Sequence, residues 1–172
     1  DRGTEWILGM QSRNGGWGAF DADNVHHRLN RIPFADHGAL LDPPTADVTA
    51  RCLACLARLG RAQDAGAVAR GLAFLRGQQE GDGSWFGRWG TNHIYGTWSA
   101  LWGLSELGLG AGDPAVAGGV RFLLAAQRAD GGWGEDGLTY HAAHRGFARA
   151  STPSQTAWAL LGLMAAGLAD HP

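Results

Sequence analysis

The chain has 172 residues, a formal net charge of -2 and a pI near 6.4, which suits one domain with a buried core. Its 14 basic residues, all arginine, are scattered rather than clustered, which argues against a phosphate-binding surface and so against nucleic acid as a partner. No apolar run reaches the length that crosses a bilayer, so any membrane contact is expected to be peripheral, and no signal peptide is expected.

The composition pairs 28 Gly with 8 Trp and only 6 Pro. The glycines gather in turns between strongly patterned segments, so the chain is expected to be all-α with glycine-rich corners. It starts near the end of a helix that runs into 11-QSRNGGW-17, a Gln and a Trp separated by five residues. After a long loop a helix is predicted over 46–59. Within it, Val48, Cys52, Cys55, Leu56 and Leu59 follow i, i+4, i+7, i+8 and i+11, one apolar stripe. A helix over 64–79 ends in 79-QEGDGSW-85, a second copy of the Gln-Trp unit. Helices over 96–108 and 114–127 follow, the latter announced by Asp113 before Pro114, and 127-QRADGGW-133 is the third copy. Thr152 before Pro153 gives the same signal for a helix over 153–167. No stretch sustains the alternation of a strand.

The similarity extends beyond the Gln-Trp units. Backward, 70-RGLAFLRGQQ-79 lies over 118-GGVRFLLAAQ-127; forward, each unit leads to an apolar segment opening with Thr, at 49-TARCL-53, 97-TWSAL-101 and 156-TAWAL-160. The repeat is therefore two helices joined by a Gly-Trp loop. Such hairpins, spaced 68 and 48 residues apart at their glutamines, cannot bury their faces alone and are expected to stack. The glutamine is expected to bond exposed backbone groups of the next turn while the Trp packs over the helix end, a structural fastening. Function is expected in the unequal loops after each Trp.

Few residues suggest chemistry by themselves. Asp47 and Arg51 stand four apart, acid first, the favourable order for an ion pair at a helix start. Asp42, before two prolines, is a natural turn former. Cys52 and Cys55, three apart on one helix, read as buried free thiols; a zinc site would need further ligands, for which only His26 and His27 could be nominated, and no metal is expected. The histidines at 26, 27, 37, 93, 141, 144 and 171 fall mostly in predicted loops, where surface positions are the default. No Ser-His-Asp order or phosphate loop is present.

The Gln-Trp units resemble the QW repeats of triterpene cyclases. The segments 14-NGGWGAFDADN-24, 32-IPFADHG-38, 42-DPPTADVTA-50, 82-DGSWFGRWG-90, 130-DGGWGED-136 and 151-STPSQTAWAL-160 are similar, in the same order, to stretches of bacterial squalene-hopene cyclases. The resemblance covers essentially the whole chain. It implies an α/α-toroid, here a partial one over residues 1–172 that lacks the family's upstream Asp-x-Asp-Asp proton donor and its last QW repeat, and so inactive alone. The motif 21-DADN-24 aligns elsewhere and is rejected as the acid.

What the resemblance implies about activity is cyclisation of squalene, or a related polyprenyl chain, through carbocations, with no cofactor. Such chemistry needs a strong acid, exclusion of water, and π faces that stabilise charge without trapping it. By resemblance Trp89 and Tyr95 fall on cavity aromatics, and Phe20 on a position where the family commonly has Tyr. Asp47 and Asp42 match acids of the site region. Arg51 stands where a His is often hydrogen-bonded to the catalytic acid; an arginine cannot relay a proton but can orient carboxyl groups. The resemblance further implies a homodimer, monotopic on the cytoplasmic face of the membrane. The alternatives are a protein prenyltransferase β-subunit, which would share the helical toroid but need zinc and a partner subunit, and a non-catalytic helical-repeat module that only binds.

Overall fold

The structure is a computed structural model and describes residues 1–26, 28–29, 32, 41–145 and 150–169. Among these residues it is all-α, with six α-helices: α1 (Arg2–Gly9), α2 (Ala46–Leu59), α3 (Ala65–Gly77), α4 (Asn92–Glu106), α5 (Pro114–Ala126) and α6 (Pro153–Ala165). His27, His37, His171 and most of 32-IPFADHG-38 lie outside the described residues. The helices alternate in role along the chain. α1, α3 and α5 each run into a Gln-Trp unit; α2, α4 and α6 follow one. α4 packs between α2 and α6, while α3 lies on α2 and α5 on α4 and α6, giving two rows of stacked hairpins as an α/α-toroid requires.

The expected fastening is present three times, and it reaches further than expected. Gln11, Gln79 and Gln127 each donate from Nε2 to the carbonyl four residues on, at 2.9, 3.0 and 3.0 Å. The first two also donate across to a following helix, to Ala67 of α3 and Ala115 of α5, at 2.9 Å each. Trp17, Trp85 and Trp133 are buried, and each indole N–H donates to the carbonyl of Ile7, Leu75 or Leu123 at 2.7 Å. The threonine that opens each following segment also has a role. Its Oγ1 accepts the Trp backbone N–H, at 2.9 Å for Thr49, 3.1 Å for Thr97 and 3.0 Å for Thr156. Glycine is required at the turn: Gly83 has φ +92°, and a Cβ there would lie 2.3 Å from the carbonyl oxygen of Gly118.

Helix ends follow local signals where these exist. The Asp113 side chain accepts from the N–H groups of Ala115 and Val116, and Thr152 accepts from that of Gln155, the expected caps. α4 differs, beginning at Asn92 rather than near residue 96. Its cap comes from far along the chain: the Glu135 carboxylate accepts from His93 N–H at 3.0 Å and Ile94 N–H at 2.8 Å.

The face of α2 also differs from the predicted stripe. Ala46, Ala50, Leu53, Ala54 and Leu56 are buried, whereas Leu59 and Cys55 are exposed and Val48 and Cys52 only partly covered. Close approach decides part of this. A Cβ on Gly103 of α4 would come 2.7 Å from the carbonyl oxygen of Ala50, so small residues of α2 make that contact, with Leu53 and Leu56 buried beside them. The thiols are free, but Cys55 is exposed and Cys52 only partly covered; desolvation, with Cys55 adding, pushes the Cys52 thiol up to about 12. His93, expected at the surface, is buried on α4, and burial, the largest influence, lowers its pKa.

Candidate active site

A cleft of about 290 Å³ opens beside the N-terminal ends of α2 and α4, lined by Ala19, Phe20, Val48, Arg51, Trp89 and Tyr95. Four of the six predicted site residues thus share one wall. Phe20 is 66% and Trp89 49% exposed, and their rings meet edge to face at 5.8 Å, a favourable aromatic arrangement. Tyr95, on the first turn of α4, is buried and its ring lies 5.0 Å from that of Trp158.

Asp47 and Arg51 do not pair with each other. The Arg51 guanidinium donates to the Tyr95 hydroxyl at 2.8 Å and stands 5.6 and 5.7 Å from the Tyr95 and Trp98 ring centroids. Asp47 points the other way and is wholly buried. Its Oδ1 accepts from the Thr45 hydroxyl at 2.5 Å, and its Oδ2 from the backbone N–H groups of Arg88 and Trp89 at 3.2 and 3.1 Å. The i,i+4 preference loses because α2 starts against the 86–91 loop, and the Arg88 and Trp89 amides are stronger partners for a buried carboxylate than an exposed guanidinium.

Asp42 also serves that loop, accepting from Arg88 Nε at 2.5 Å with both side chains mostly buried. From the opposite side the Tyr140 hydroxyl lies 2.8 Å from the carbonyl oxygen of Gly87 and 2.6 Å from that of Gly90. Its single proton serves one of them at a time. Burial above all, with Asp47 and Glu135 adding, pushes the Tyr140 hydroxyl up to about 12. Burial also raises the Tyr95 hydroxyl, with Asp47 adding and Arg51 opposing. The Trp89 backbone is therefore clamped from two sides by residues outside the cleft.

Sequence reasoning missed Arg88, Tyr140 and the ring row beside the cleft. Trp98 stacks on Trp158 at 6.2 Å and on Trp102 at 6.5 Å, and Arg58 covers Trp102 at 5.6 Å. The spacing of Trp98 and Trp102 by one helical turn was the available signal. A larger cavity, about 570 Å³, lies between α5 and the second and third turns. There Arg145 is bonded to Glu80 and Asp82 and Glu135 caps α4, so these charges are engaged in holding the fold. Among the described residues no group of three His, Cys, Asp or Glu could hold a metal ion.

A solved ent-copalyl diphosphate synthase from Streptomyces platensis has the same fold over 96% of this chain and 27% of its own, with a TM-score of 0.67 at 24% identity. Sequence relatives are nearer. A squalene-hopene cyclase of Schizosaccharomyces japonicus is 63% identical over 100% of this chain and 26% of its own length, and one of Bradyrhizobium diazoefficiens is 57% identical over 100% and 26%. The chain thus spans about a quarter of the length of these relatives. With the squalene-hopene cyclase C-terminal domain model matching residues 1–172, the repeated Gln-Trp fastenings and the aromatic cleft find a common origin: the chain belongs to the squalene-hopene cyclase C-terminal domain family.

Proposed function

We propose that this chain is the C-terminal-side part of a triterpene cyclase that converts squalene to hopanoid products by protonation and carbocationic ring closure. The observation that carries the reading is the convergence of Phe20, Arg51, Trp89 and Tyr95 on one cleft. Aromatic faces at such a wall lower the energy of a passing cation by roughly 0.5–2 kcal/mol each and cannot trap it as a nucleophile would. Arg51 holds the Tyr95 hydroxyl at 2.8 Å, which leaves that oxygen oriented and less free to capture a cation. The initiating acid belongs to the rest of the cyclase. Asp42 and Asp47 are supports of the wall, since their carboxylates are occupied by Arg88 and by loop amides.

No described helix is long and apolar enough to cross a membrane. A peripheral, homodimeric cyclase drawing an apolar substrate from the cytoplasmic leaflet is part of the proposal. The test is to incubate the full-length enzyme, in detergent, with squalene and separately with oxidosqualene, and to identify products by mass spectrometry. Hopene from squalene is the expected outcome, with Arg51→His and Phe20→Tyr retaining cyclisation. Cyclisation of oxidosqualene alone, or of neither, overturns the substrate assignment.

A further inference from the structure

Trp89 differs from the three fastening tryptophans in having no hydrogen bond on its indole N–H among the described residues. Its backbone is clamped, but the plane of its ring is set only by what touches the ring. Phe20 meets it edge to face at 5.8 Å. Arg88, the residue before it, lies with its guanidinium carbon 5.7 Å from the ring centroid and is itself fixed by the ion pair with Asp42 at 2.5 Å, the two side chains 9% and 15% exposed.

Resting on the function proposed above, we propose that Arg88 is a positioning residue: tied to Asp42, its guanidinium fixes which face of the Trp89 indole is presented to the cleft. A planar guanidinium suits this role because it can lie flat against a ring and bond a carboxylate at once; an ammonium is a compact point charge with no plane to stack. The ion pair also answers an electrostatic difficulty. A bare cation behind Trp89 would oppose a carbocation in front of it, since unit charges a few ångströms apart in a dry site interact strongly. Asp42 cancels that charge locally, so the ring is held without repelling the intermediate.

The experiment compares the full-length enzyme with Arg88→Lys, Arg88→Gln and Asp42→Asn on squalene, measuring kcat, KM, product ratio and melting temperature. Arg88→Lys keeps the charge and loses the planar contact; kcat is expected to fall about tenfold with KM within about twofold, since misplacing a reacting wall costs rate rather than binding. The share of partially cyclised products is expected to rise several-fold. Asp42→Asn removes the carboxylate charge facing the guanidinium and is expected to shift kcat and products in the same direction. Arg88→Gln strands a mostly buried carboxylate and is expected to be the least stable; if it does not fold, the other two variants carry the test. Unchanged product ratios in Arg88→Lys and Asp42→Asn, whether kcat holds or falls only with the melting temperature, overturn the inference while leaving the cyclase reading intact. A parent enzyme that cyclises nothing overturns both.

Discussion

Trp85 and Trp89 lie four residues apart in one loop and have opposite fates. Trp85 is 0% exposed, its indole N–H bonded to Leu75 and its backbone N–H to Thr97. Trp89 is 49% exposed, and its ring is met by Phe20 and by the Arg88 guanidinium. A tryptophan whose polar handle is satisfied inside the protein serves the fold. One held at its backbone and half-exposed has no such anchor in the core.

That contrast can be broken from its structural end. Trp85→Ala removes a fully buried ring and is expected to cost about 3–5 kcal/mol in denaturant unfolding, whereas Trp89→Ala is expected to cost under about 1 kcal/mol and to alter cyclisation products instead. Equal losses of stability at the two positions would erase the distinction. Gly83→Ala, which forces a side chain into positive φ and against Gly118, is expected to cost about 1–3 kcal/mol by the same measurement. A neutral result would mean that the second turn is looser than its hydrogen bonds suggest.

The smallest effect sharpens the other side of the comparison. Tyr140 keeps its proton in the folded state up to about 12, above the value near 10 of an unfolded tyrosine. Its contribution is therefore intact below about pH 10 and is lost as pH rises from there toward 12. Tyr140→Phe is expected to cost about 1 kcal/mol at neutral pH and to flatten the decline in stability between pH 10 and 12. A parent whose stability falls no more steeply than the variant's over that window would show that the hydroxyl does not hold the Trp89 loop.

Helices and repeats were legible because their causes are local or periodic. Asp113-Pro114 and Thr152-Pro153 carry their own caps, and the Gln-Trp unit recurs in plain view. The start of α4 was not legible, since Glu135 reaches it from 42 residues away. The face of α2 was misread because periodicity ranks residues by polarity, while Ala50 is buried for its size. At the site, Phe20, Trp89, Tyr95 and Arg51 were found through resemblance to a family. Arg88 lay inside the family-like stretch 82–90 with no role attached to it, and Tyr140 lay outside every such stretch: an arginine beside a tryptophan and a tyrosine in an irregular loop gain meaning only once folding brings Asp42 and the Gly87–Gly90 carbonyls to them.

The bond from each Trp backbone N–H to its threonine joins the two ends of a loop whose span is 32, 12 or 23 residues. Closing a loop of 32 rather than 12 residues costs only about 0.9 kcal/mol of chain entropy, because the penalty grows with the logarithm of length. The frame is thus nearly indifferent to what is inserted between clasp and clasp. New walls for the cleft can be lengthened, shortened or exchanged at one repeat without renegotiating the stacking of the others.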